Sequence, residues 1–160
     1  MPIAFAPDSD RLPPGRHEAT VVEIEQLLVD DFPSSHNRRP LFESWRNVIA
    51  AMQRVIPIQA QWLDGSFVTT KEEPADIDIV THFDGESLEG LDPVDQTLLR
   101  GLVGNAASQA LHGCDSYVIA AYPAGHAARP AYEAALSYWD GWFGRARDGK
   151  PKGYVEVVLS

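Results

Sequence analysis

Apolar residues recur at spacings of three and four from Phe42 through Trp45, Ile49 and Met52 to Ile56. That is the period of a helix with one buried stripe, and it predicts a helix over about residues 41–55. A helix over about residues 20–31 precedes it, with Ile24, Leu27 and Leu28 turned inward and Thr20-Val21-Val22-Glu23 in the form of a capping box. Pro57 stops the second helix. Beyond it the pattern changes to short apolar runs between turn residues, which read as strands: Ile58 to Leu63, Asp76 to Phe83, Ser116 to Tyr122, and Tyr154 to Leu159. Asp92-Pro93 supplies an N-cap and a first helical residue for a third helix running to about His112, with Gly113 suited to follow its end. Pro130 opens a fourth, with Tyr132, Leu136, Trp139 and Phe143 at helical spacing. Residues 1–18, rich in Pro, Asp and Gly, read as an extended lead-in. The order of elements predicts an α/β fold, a mixed sheet of about four strands flanked by helices, in one domain over residues 1–160.

Composition narrows the classes of function. The formal charge of −10 argues against a stand-alone nucleic-acid binder, which needs a basic surface to release counterions from phosphates. It is compatible with a divalent-metal site, where a cation bridges an acidic protein to phosphate, and equally with plain solubility. No apolar run reaches about 18 residues, so no membrane span or membrane partner is expected. The opening Met1-Pro2-Ile3-Ala4-Phe5 lacks the marks of a secretory signal, and the lone Cys114 fits a reducing compartment. Both point to the cytoplasm. The five histidines show no ligand spacing, and Ser66 is not in a Gly-x-Ser-x-Gly elbow.

The chemistry concentrates in the stretch from Trp62 to Val80. Residues two apart in a strand share a face, so Asp76 and Asp78 project together while Ile77 and Ile79 point to the other side. Two ionised carboxylates side by side repel, and Mg²⁺, which takes carboxylate, phosphate and water oxygens, would relieve them. Upstream, Asp64-Gly65-Ser66 is a turn in which Gly65 allows close backbone approach to a ligand and Ser66 offers a hydroxyl and an amide for phosphate. Lys71 is a candidate to add positive charge there. Asp115, at the start of the next strand, is the candidate third carboxylate of a two-metal arrangement. The bland alternatives are a charged edge strand for Asp76 and Asp78, a plain turn for Gly65-Ser66, and a loop residue for Asp115. The basic residues Arg145, Arg147, Lys150 and Lys152 read either as a steering patch for a triphosphate or as a solvated helix end.

Gly-Ser on a turn after a strand, then Asp-x-Asp in a hydrophobic strand, resembles the DNA polymerase beta-type nucleotidyltransferase superfamily. Leu12-Pro13-Pro14-Gly15-Arg16-His17-Glu18 together with Gly65-Ser66-Phe67-Val68-Thr69 is similar to a group of short, uncharacterised prokaryotic proteins classed as nucleotidyltransferase-like. The resemblance implies that Gly65 and Ser66 bind nucleotide phosphates and that Asp76, Asp78 and Asp115 hold Mg²⁺. The implied reaction transfers a nucleoside monophosphate from a nucleoside triphosphate such as ATP to a hydroxyl acceptor: a protein side chain, a nucleic-acid end or a small molecule. The competing expectation is a non-catalytic interaction module on the same fold, antitoxin-like or a regulatory subunit, working with a protein partner or as a homo-oligomer.

Overall fold

In the computed structural model, which describes residues 3–104, 109, 112–157 and 159, five strands form one mixed sheet in the order β1-β5-β2-β3-β4. They are β1 (Gly15–Ala19), β2 (Ile58–Asp64), β3 (Ile77–Asp84), β4 (Cys114–Ala121) and β5 (Gly153–Val157). The helices are α1 (Val21–Glu25), α2 (Arg38–Gln53), α3 (Gly85–Glu89), α4 (Pro93–Arg100) and α5 (Arg129–Phe143). β2 runs antiparallel to both its neighbours β3 and β5, whereas β3 with β4 and β1 with β5 are parallel pairs.

The α/β class is as expected, but the sheet has five strands rather than four. The extra one, β1, lies within what reads as an extended lead-in. Its residues Gly-Arg-His-Glu-Ala carry no apolar alternation, and only Ala19 is buried. Backbone pairing with β5, not side-chain burial, makes it a strand. The lead-in before it is also strapped down. Leu12 is buried, its carbonyl accepts from the Gly153 amide at 3.2 Å, and Arg11 bridges to Thr69.

The helices follow the apolar stripe with small displacements. At α1 the capping box is complete, with the Glu23 amide donating to Thr20 and the Thr20 amide donating to Glu23. The turn then widens into a π-helical segment, Gln26–Asp30. α2 buries Phe42, Trp45, Ile49 and Met52 as its spacing predicts, together with Leu41 and Val48. Asp92 caps α4 by accepting from the Asp95 amide at 2.8 Å, but this helix ends at Arg100 instead of reaching His112. Residues 105–108 and 110–111 of the expected span lie outside the described residues, as does Val158 of the expected last strand. Gly113 does take a positive φ of 68°. The short α3, capped by Asp84, falls where no helix is expected, because five residues are too few to show a period.

Two layers of core cover the sheet. One face packs Leu63, Ile77, Ile79, Phe83, Val155 and Val157 against α1 and α2, and includes Cys114, whose thiol burial pushes up to about 12. The other packs Trp62, Val80, Ile119 and Tyr154 under α5 through Phe143, Leu136 and Trp139. Among the described residues no helix is long and apolar enough to cross a membrane.

Candidate functional site

Register assembles the site. Asp64 at the end of β2 pairs with Asp78 in β3, and Asp78 pairs with Asp115 in β4. Neighbouring strands lie about 4.8 Å apart, so three carboxylates stand in one row across roughly 10 Å of sheet. Two residues along, Trp62, Val80 and Tyr117 form the equivalent row, and alternation puts both rows on the α5 face. Aromatic packing from α5 covers the apolar row; the acidic row lies beyond it. Asp76, preceding β3, adds a fourth carboxylate to the field around Asp78.

Each flanking carboxylate has a donor of its own. The Lys152 ammonium, from the loop before β5, is ion-paired with Asp64. Gln109 Nε2 donates to Asp76 at 2.6 Å, and the Tyr117 hydroxyl donates to Asp115 at 3.0 Å. Among the described residues no donor is bonded to the carboxyl of Asp78. Burial pushes its pKa up to about 7, and the charges of Asp76, Asp64 and Asp115 push the same way; only Lys152 opposes them. Asp64 is only 6% exposed, and burial raises it to about 6 against the pull of Lys152 and of the Gly65 amide.

The turn between β2 and β3 is built around this pair. Gly65 has φ 85°, and a Cβ there would lie 2.9 Å from Asp78 Oδ2. Glycine is needed twice over, for its backbone angle and for the carboxylate lying against it. Ser66 then begins a single 3₁₀ turn, Ser66–Val68, closed by the Thr69 hydroxyl donating to the Ser66 carbonyl at 2.7 Å. A buried arginine holds the following segment. Arg38 is fully buried between Phe32 and Phe67, with its guanidinium donating to the carbonyls of Leu28, Phe67, Thr69 and Lys71. Desolvation lowers it to about 10.

The structure therefore brings Asp76, Asp78, Asp115 and Gly65 together, with Ser66 on the adjoining turn. Lys71 is not brought in with them. It is exposed, its amide donates to the Thr69 hydroxyl at 3.2 Å, and the cation felt by Asp64 and Asp78 is Lys152. In sequence Asp64 reads as a turn residue, and Lys152 as part of a basic cluster that is either a steering patch or a solvated helix end. Both are site residues, and neither signals this locally, because 88 positions separate the two ends of their ion pair.

A donor set made only of carboxylate oxygens suits a hard cation such as Mg²⁺. Among the described residues, no three Asp, Glu, His or Cys side chains are drawn together as a metal-holding group. Lys152, Gln109 and Tyr117 are bonded to three of the carboxylates, so a cation would have to exchange with these bonds. Two cavities, of about 300 and 260 Å³, lie against α1 and the start of α2.

A family model described as "Family of unknown function (DUF6932)" matches residues 3–158. The chain belongs to DUF6932. No curated protein and no solved structure matches it. The match runs from the lead-in through β5, so every residue of the acidic row, Lys152 included, falls inside the DUF6932 region.

Proposed function

We propose that the acidic row is the centre of a Mg²⁺-dependent nucleotidyltransferase on a nucleotidyltransferase-like fold, as the resemblance implies. The observation that carries the reading is the registered row Asp64–Asp78–Asp115, with a glycine backbone lying directly against its central member. A carboxylate left without a donor among other carboxylates is stabilised by an external cation, and a side-chain-free backbone beside it admits a phosphate.

In this reading Asp76, Asp78 and Asp115 hold Mg²⁺. When bound, the ion supplies charge neutralisation for the phosphates and the departing pyrophosphate. Gly65 and Ser66 position the triphosphate through main-chain amide and hydroxyl. Asp115 accepts the proton of the acceptor hydroxyl, whose oxygen bonds to the α-phosphorus as the bond to the β-phosphate oxygen breaks. Lys152 keeps Asp64 ionised and turned away from the reacting phosphate. The acceptor is a hydroxyl compound of the three classes named above.

A second reading, the non-catalytic interaction module, is favoured by one observation: Lys152 already gives the row an internal counter-ion. Calorimetric titration of ATP and GTP, with and without Mg²⁺, separates the two. The nucleotidyltransferase reading expects Mg²⁺-dependent binding that is lost in Asp76→Ala/Asp78→Ala. Absence of binding in the native protein, together with a stable hetero-complex or oligomer indifferent to nucleotide, would establish the module instead.

A further inference from the structure

Large aromatic side chains left in solvent are uncommon enough to be informative, and this chain has three of them, one on β4 and two on α5. Tyr117 is 36% exposed, Tyr138 61% and Trp142 66%. Tyr117 lies on β4, the last strand of the sheet among the described residues. Its ring packs on Trp139 with centroids 4.6 Å apart, and Trp139 in turn meets the edge of Tyr138 at 5.1 Å. Trp139 thus fixes the Tyr117 ring from one side while the exposed remainder faces outward. The same Tyr117 hydroxyl is bonded to Asp115 at 3.0 Å, which ties the aromatic ledge to the carboxylates within one side chain. The other exposed apolar residues, Val22, Val94 and Leu98, belong to α1 and α4 and carry no such tie.

We infer that the Tyr117 ring, backed by Trp139, is a stacking platform for the base of a nucleotide whose phosphates lie on the acidic row. This rests on the proposed function and adds to it the part of the substrate that the carboxylates do not address. An occupant reaching both features is small and carries an anionic group that a cation can bridge to carboxylates. It also carries a planar ring within a few ångströms of that group. A nucleoside triphosphate meets all three conditions. Stacking on a tyrosine tolerates any base, since every base presents a π-face, so the platform gives affinity without strong base choice.

The test compares ATP with ribose 5-triphosphate, which differs only in lacking the base, by calorimetry in the presence of Mg²⁺. Native protein is expected to bind ATP about 5- to 150-fold more tightly than ribose 5-triphosphate, the range of a single base–aromatic stack. Tyr117→Ala and Tyr117→Phe both lose the hydroxyl bonded to Asp115, so the ring is tested by comparing the two. Tyr117→Ala is expected to bind ATP no more tightly than it binds ribose 5-triphosphate, and a native circular dichroism spectrum shows that the variant is folded. Tyr117→Phe, which keeps the ring, is expected to retain the preference. Equal binding of the two ligands by native protein would overturn the platform while leaving the phosphate site standing. A preference that survives in Tyr117→Ala would also overturn it. Binding of neither ligand would remove the platform and the nucleotidyltransferase reading together.

Discussion

Asp78 has the least favourable electrostatic position in the row, and replacing it with asparagine is expected to stabilise the metal-free protein. Its carboxyl is held at about 7 against an ordinary 3.8, by burial first and then by Asp76, Asp64 and Asp115. Because the folded value is raised, the native state binds the proton more tightly than the unfolded chain between those two pH values. Stability therefore falls as pH rises through that window, and the full penalty is present above about pH 7. At about 1.4 kcal/mol per pH unit the displacement sets a ceiling of about 4 kcal/mol. Partial exposure and an effective dielectric well above that of a dry interior reduce this to about 1–2 kcal/mol. Asp78→Asn keeps the shape and removes the charge, so the gain corresponds to about 2–8 °C in Tm for a chain of this size. The assay is thermal unfolding of native protein and Asp78→Asn in EDTA from pH 4 to 8. The advantage of the variant is expected to be near zero at pH 4, to grow through pH 5–7, and to level off above. Mg²⁺ is expected to narrow it by stabilising only the native protein. A variant equally or less stable at pH 8 would refute the charge argument.

Four other perturbations test separate parts of the structure. Arg38→Met leaves the carbonyls of Leu28, Phe67, Thr69 and Lys71 without their donor and is expected to cost about 3–5 kcal/mol in urea unfolding; a loss under about 1 kcal/mol would sink the clamp assignment. Arg38→Lys is expected to recover little of this, since an ammonium cannot reproduce the guanidinium fork. Burial and the Arg16 charge hold His82 at about 4 against an ordinary 6.5, so its contribution to stability is present above pH 6.5 and is lost as pH falls toward 4. His82→Phe, which keeps a ring against Trp62, is expected to lose less stability than native protein between pH 6.5 and 4, and an unchanged acid profile would contradict this. Gly65→Ala is expected to cost about 1–3 kcal/mol from backbone strain and the contact with Asp78. The cost should be smaller in an Asp78→Ala background, and a strictly additive double-mutant cycle would show that the two residues do not touch.

What could be read from the chain follows the range over which each signal acts. The stripe Phe42–Trp45–Ile49–Met52 predicts α2 to within a turn because a helix writes its burial at neighbouring positions. Asp78 is legible for the same reason, since alternation alone puts it opposite Ile77 and Ile79, whereas Asp76 lies just before β3 and acts on Asp78 only as a nearby charge. β1 is not, because its polar sequence gains a partner only when β5, more than 130 positions on, lies beside it. Asp64 is ambiguous in sequence, since an Asp before Gly-Ser is good turn chemistry wherever it points. Only the β2–β3 register shows that it faces Asp78. Lys152 reads as one of several basic residues after a helix, and its burial against Asp64 is a tertiary fact. Local chemistry marks the acidic stretch, and only the fold pairs Lys152 with Asp64.

That counter-charge bears on what the row is for. A folded domain that needed the acids only as a solvated edge would gain nothing from burying a lysine against one of them, because exposed pairs contribute little and buried ones must offset desolvation. Lys152 and Asp64 are both largely removed from water, which ties the two strand ends together and sets the geometry of the Gly65 turn. The lysine nonetheless satisfies only the outer carboxylate. Gln109 and Tyr117 satisfy two more with neutral donors, and the central Asp78 is left with three acidic neighbours and no donor of its own among the described residues. A structural ion-pair network would place its cation in the middle of the charge. Here the cation sits at one end, and the central carboxylate lies against Gly65. Under the proposed function, such an arrangement gives up stability in the unliganded state in favour of a cation and the phosphates it bridges.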